Sequence, residues 1–160
     1  MLKVKKKSQL QEKSVAKDLN AHTVVASGAL WGSKGDVRHD NLLVECKTTD
    51  KPYYSLTLTV WEKIEKEAIK DGLRLPVMCI DIKGGKERYA VFLSKHFRHY
   101  KSYSEINDGE DTCWTDKKSF RVYEPKRVLM VSVQSKSGET PCFTVTPWED
   151  FLYMIKGGEN

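Results

Sequence analysis

No stretch of this 160-residue chain approaches the roughly 18 consecutive apolar residues of a membrane-spanning helix, and no apolar signal region follows its lysine-rich start. These absences predict a soluble, cytoplasmic protein with no membrane partner. Cysteine is sparse as well. Cys46, Cys79, Cys113 and Cys142 stand far apart and form no CxxC pair, which indicates neither a zinc site nor a disulfide framework. His96 and His99 have HxxH spacing but lack a companion cysteine or acidic motif, so a surface or core role is favoured over zinc. Internal repeats are missing too: YAVFLSKHF and FTVTPWEDF share a strand-then-helix pattern at too few positions to count.

What the chain does have is charge. Its 27 Lys and Arg exceed its 22 Asp and Glu by five, and Lys3, Lys5, Lys6 and Lys7 crowd residues 1–7. A basic arm of this kind suits a polyanion such as nucleic acid or an acidic membrane surface; the alternative is a merely solvated segment. The length fits one domain able to bury a real core.

The order of patterns predicts an α/β fold. Ser8 with Gln11 has capping-box spacing, and Leu10, Val15, Ala16 and Leu19 recur at helical spacing, predicting a helix over about Gln9 to Leu19. Val24 to Ala26 reads as a short strand, and the three glycines of Ser27 to Gly35 predict a loop or irregular strand. A hairpin follows, then a helix opened by the Thr59–Glu62 capping box, with Trp61, Ile64, Glu65 and Ala68 on one side and Gly72 as its stop. PVMCIDI (Pro76 to Ile82) is apolar enough for a buried strand, and KGGKE turns it toward a second, Arg88 to Leu93. Beyond residue 94, HFRHYKSY reads as a helix, NDGEDT as a turn, RVLMVSV and PCFTV as strands, and Thr146 as the cap of a last helix, PWEDFLYMI. The expected architecture is a central mixed β-sheet flanked by helices.

The hairpin, GDVRHDNLLVECKTT, contains an oddity. If Asp40 and Asn41 form a two-residue turn, His39 pairs with Leu42 and Asp36 falls opposite Glu45. Like charges there destabilise a sheet, so something positive is expected between them. Lys47 shares a face with Glu45, and a plain ion pair between the two is one reading. A divalent cation explains more, because Mg²⁺ takes a couple of carboxylates and keeps positions open for water and phosphate. Glu12, placed on the apolar stripe of the first helix, is a third carboxylate in need of a partner.

Glu12 on a first helix, Ser27-Gly28, Asp36 after a glycine, and Glu45-Cys46-Lys47 together resemble the PD-(D/E)xK nuclease core, in particular the small Holliday-junction resolvases of archaea and phages. The resemblance covers Ser8 to about Phe92; VVA stands where a basic residue often precedes the Ser-Gly turn, and the last third is not covered. It implies a restriction-endonuclease-like core over residues 8–93, with 94–160 adding strands and a C-terminal helix. It also implies that Asp36, Glu45 and the Cys46 carbonyl bind Mg²⁺ or Mn²⁺, that Glu12 completes the site directly or through water, and that Lys47 orients or deprotonates the attacking water. Ser27, Lys34 and Arg38 would hold phosphates, and Lys5, Lys6 and Lys7 would grip a second DNA arm; Trp31, in the loop before Asp36, would stack on a base or wedge into an opened junction unless it is a packing plug. The implied activity is metal-dependent cleavage of branched DNA, chiefly four-way junctions, to 5′-phosphate and 3′-hydroxyl ends by a homodimer, in the host cytoplasm if a phage encodes it. The alternatives are a nuclease of the same core acting on flaps, nicks or duplex sites, or a DNA-binding protein that has lost catalysis.

Overall fold

The computed structural model describes residues 2–24, 36–106, 111–115, 118–123, 129–133 and 140–157. Along the chain these form α1 (Leu2–Asp18), β1 (His22–Thr23), β2 (Val37–Arg38), β3 (Leu42–Thr48), β4 (Tyr54–Thr57), α2 (Leu58–Lys70), β5 (Leu75–Ile82), β6 (Glu87–Leu93), α3 (Ser94–Phe97), α4 (Tyr103–Ile106), β7 (Asp111–Thr115), β8 (Ser119–Val122), β9 (Leu129–Val133), β10 (Cys142–Pro147) and α5 (Trp148–Gly157).

β5 is apolar on both faces and therefore needs cover on both. It lies inside an eight-stranded sheet ordered β1-β2-β3-β5-β6-β10-β9-β7, while β4 and β8 pair separately. The sheet is mixed: β3 runs parallel to β5 and β7 parallel to β9, and the other neighbours are antiparallel. Strand alternation sorts side chains into two cores. Leu42, Val44 and Cys46 of β3, Val77 and Cys79 of β5, and Ala90 and Phe92 of β6 meet Val15, Ala16 and Leu19 of α1 and Phe151 and Met154 of α5. Met78, Ile80, Ile82, Tyr89, Val91 and Leu93 point the other way, onto Trp61 and Ile64 of α2, Leu56 of β4 and Val122 of β8.

Several boundaries depart from the sequence reading. α1 starts at Leu2, so the lysines of residues 3–7 lie on its first turns instead of a separate arm. Ser8 is inside that helix and donates to Glu12 Oε1 at 2.9 Å, so it caps nothing. Leu10, expected on the buried stripe, is exposed, and Gln11 is the buried residue one turn before Val15. The cap of α2 is Thr57, whose Oγ1 accepts the Val60 N–H at 3.2 Å, two residues before the expected Thr59. Gly72 does follow α2 with φ +93°, where a side chain would be strained. The first short strand is His22–Thr23; Ala26 and the Ser27–Gly35 loop lie outside the described residues. Asp111 and Thr112, expected in a turn, open β7. The expected HFRHYKSY helix does not form: His96 and Phe97 close the short α3, Tyr103 opens the short α4, and residues 98–102 turn between them. Thr146 belongs to β10 and its buried Oγ1 has no partner among the described residues, so it does not cap α5.

One polar cluster anchors the α1 face. Arg88 of β6 makes two hydrogen bonds to its cross-strand neighbour Asp81 (2.7 and 3.0 Å) and one to Ser14 of α1 (2.9 Å), and sits 3.4 Å from Asp18. The Trp148 indole N–H also donates to Asp18, at 2.9 Å, which joins α5 to the same cluster.

Candidate functional site

The β2–β3 hairpin forms as its turn residues dictate. His39 and Leu42 exchange both backbone hydrogen bonds (3.0 and 3.3 Å) around Asp40-Asn41, and the ladder continues with Arg38↔Leu43 and Val37↔Val44. That register carries Asp36 toward Glu45, but the paired ladder ends one residue earlier. The Asp36 N–H bonds the Val44 carbonyl at 3.1 Å, its carbonyl accepts the Val24 N–H at 3.0 Å, and its Oδ2 accepts the Cys46 N–H at 2.7 Å. Asp36 is thus fixed by backbone on both sides, at the point where β2 begins. Because Val37, Val44 and Cys46 face the α1 core, alternation turns Asp36, Glu45 and Lys47 to the opposite face.

On that face Lys47 Nζ lies 2.6 Å from Glu45 Oε1. Burial alone would lower the lysine pKa, but the hydrogen bond to Glu45 and the charges of Glu45 and Asp36 outweigh it, and the net direction is up. Lys47 is therefore a charged hydrogen-bond donor. Asp36 shows the opposite imbalance: burial first, then the Glu45 charge, raise its pKa from 3.8 to about 6, against the Cys46 N–H that lowers it, and Glu12 adds to the rise. Glu12 is half-buried on α1 rather than inward-facing, with its Oε1 held by Ser8. Tyr54 of β4 completes the neighbourhood; its hydroxyl pKa is raised by burial, with Lys47 opposing and Glu45 reinforcing the shift.

The expected metal ligands do not form a preformed centre. Among the described residues, no three His, Cys, Asp or Glu side chains converge to hold a metal ion. Each carboxylate has a donor of its own: Asp36 the Cys46 N–H, Glu45 the Lys47 ammonium and Glu12 the Ser8 hydroxyl. The Cys46 thiol turns into the α1-side core, where its hydrogen bond to Cys79 and burial hold its pKa up, so only its backbone is available at the site. The donor set nonetheless fits a hard divalent cation. Its ligands are oxygens, and the half-buried Asp36 carboxyl lies beside a like charge that the available N–H does not fully offset.

The expected phosphate contacts fare less evenly. Arg38 is taken up by Asp71 at the end of α2, through Nε at 2.8 Å and a second bond from Nη2, and Arg74 shares that carboxylate at 3.1 Å. Its guanidinium is a strut between hairpin and helix, and Asp71 was the partner that sequence spacing could not show. Lys7 pairs with Asp50 at 2.7 Å. Lys6 is exposed, and Lys5 lies on the first turns of α1. Ser27, Trp31 and Lys34 lie outside the described residues. His96 sits with its buried Nδ1 unpartnered among the described residues, and burial together with Lys95 lowers its pKa. A cleft of about 810 Å³ opens at the far end of the hairpin, lined by Lys17, His39, Asp40, Lys101 and Lys156. Lys17 and Lys156 there stand in the last turns of α1 and α5, where they answer the helix-terminal carbonyls, and none of Glu12, Asp36, Glu45 and Lys47 lines it.

Sequence reasoning also missed Gln11 and Tyr54. The only signal for Gln11 was its helical offset of four from Val15. No family model, no curated protein and no solved structure matches this chain. No helix among the described residues is long and apolar enough to cross a membrane.

Proposed function

We propose that this chain is a metal-dependent, structure-selective DNA endonuclease of the PD-(D/E)xK type, and specifically a Holliday-junction resolvase acting as a homodimer. One observation carries the reading. Asp36 is held by backbone bonds beside Glu45, and burial first, then the Glu45 charge, raises its carboxyl pKa to about 6, a penalty that a bound cation would relieve.

Asp36 and Glu45, with Glu12 near them and the Cys46 backbone between, are the residues that would hold Mg²⁺ or Mn²⁺. Bound there, the ion would lower the pKa of water and stabilise charge building on phosphoryl oxygens. Lys47, charged and released from Glu45, would donate to the water or to a phosphate oxygen and so orient in-line attack. Half-buried Tyr54 would border the phosphate on the α2 side. Two symmetric cuts across a four-way junction require two such sites, hence the homodimer.

The test is cleavage of matched four-way junction, flap, nicked and linear duplex DNA, each with Mg²⁺ and with chelator. Paired cuts in the junction, dependent on the metal and leaving 5′-phosphates, are expected. Preference for flaps, nicks or duplex would keep the chemistry and change the substrate. Binding without cleavage of any of them would favour a DNA-binding protein on this fold.

A further inference from the structure

α1 touches the sheet at a point that its apolar residues do not explain. Gln11 is 3% exposed, and its Nε2 donates to the carbonyl of Lys47 at 3.0 Å and to that of Cys79 at 3.1 Å. These carbonyls belong to adjacent parallel strands, where Cys46 stands beside Cys79 and Lys47 beside Ile80. Both amide hydrogens are used, one for each strand. The amide oxygen is buried and has no partner among the described residues. Rotating the amide by half a turn would set that oxygen against two carbonyl oxygens, so the orientation is determined.

A buried acceptor left unpaired is destabilising, and Val15, Ala16 and Leu19 already supply the packing of α1. What Gln11 adds is a bridge. It spans β3 and β5 at the level of Lys47, next to the bond from the Thr49 N–H to the Asp81 carbonyl at 2.9 Å, beyond which the Gly84 and Lys83 N–H groups bond the carbonyls of Thr49 and Lys51. The side chains of Glu45 and Lys47 project from the other face of β3, so the amide reaches them only through the backbone.

We propose that Gln11 is a positioning residue: by tying β3 at Lys47 to β5 at Cys79, it fixes where Glu45 and Lys47 project and thereby holds the site in register. Its effect on cleavage rests on the nuclease reading; the clamp itself does not. Gln11→Met keeps the shape and removes both donors. Gln11→Asn keeps an amide that falls one methylene short of either carbonyl, and it serves if the methionine variant does not fold. Gln9→Met makes the same chemical change on the exposed side of α1 and is the control.

Two readouts separate positioning from general weakening. The first is hydrogen exchange of the Thr49 amide, expected to quicken by about tenfold or more in Gln11→Met while amides in the centre of β5 follow only the global change. The second is the kinetic split on junction DNA. A shift of the order of an ångström in catalytic groups costs up to about 100-fold, so kcat should fall roughly 10- to 100-fold with KM and chelator-state DNA affinity within about threefold. A Thr49 amide that exchanges as slowly as in wild type overturns the clamp, whatever the protein cleaves. A quickened amide with unchanged kcat overturns the positioning role. Wild-type protein that cuts none of the DNA substrates refutes the nuclease reading, and the exchange measurement still decides the clamp.

Discussion

Asp36→Asn should stabilise the metal-free protein while abolishing its activity, with a pH dependence that identifies the cause. The Asp36 carboxyl is raised from 3.8 to about 6. Folding therefore favours the protonated form: the group's stabilising contribution is complete below about pH 4, fades as pH rises, and is lost above about pH 6. Two pKa units correspond to about 3 kcal/mol, and partial solvent access reduces this to roughly 1–2 kcal/mol. Asparagine keeps an oxygen for the Cys46 N–H and carries no charge, so the variant escapes the penalty. At pH 7.5 in chelator it should melt roughly 3–6 °C above wild type, since ~1 kcal/mol moves a chain of this size by about 2–4 °C. At pH 4 the gap should close. Saturating Mg²⁺ should raise the wild-type melting temperature, by about 2.7 kcal/mol of stability at a hundred times its Kd, and should hardly move the variant. Thermal melting across pH 4–8, with and without Mg²⁺, is the assay. A variant that melts lower than wild type at pH 7.5, or a gap that does not change with pH, would refute the idea that Asp36 carries an unneutralised charge.

Lys47→Ala should leave junction affinity within a few fold and remove cleavage; a variant that still cuts would show that the ammonium is not required. Arg38→Ala should lower stability by about 1 kcal/mol through the loss of its pair with Asp71 and leave DNA affinity nearly unchanged, which a salt titration of binding can contradict. Neutralising Lys5, Lys6 and Lys7 together should flatten the salt dependence by roughly 0.9 log-log unit for each phosphate they neutralise in the wild type, and an unchanged slope would make that end of α1 a solvated surface. Arg88→Ala strands buried Asp81 and should cost roughly 3–5 kcal/mol in urea unfolding; a drop below about 1 kcal/mol would mean that the cluster joining α1, β5, β6 and α5 contributes little.

The hairpin register was readable because it depends on neighbours in sequence: Asp40 and Asn41 suit a two-residue turn, and alternation then places every side chain from Asp36 to Lys47 on a face. The buried strands Leu75–Ile82 and Glu87–Leu93 were legible for a related reason, since an apolar run with a glycine turn after it has few other uses. The limits of α1 were harder. A capping-box spacing at Ser8 competes with simple continuation of the helix, and only packing of Val15, Ala16 and Leu19 on the sheet decides which face turns inward, putting Gln11 and not Leu10 or Glu12 beneath it.

By itself, then, the sequence determined the local pairings: the turn, the alternation, and the nearness of Glu45 to Lys47 and of both to Asp36. Tertiary structure decided the partners that lie far along the chain. It gave Arg38 to Asp71 and Lys7 to Asp50, brought Gln11 to the carbonyls of Lys47 and Cys79, and set Tyr54 near Glu45 and Lys47. Spacing rules reach one strand pair or one helical turn, whereas these pairings follow from how α1, α2 and β4 dock on the sheet. Docking is set by the summed burial of many apolar side chains, and no short motif encodes that sum.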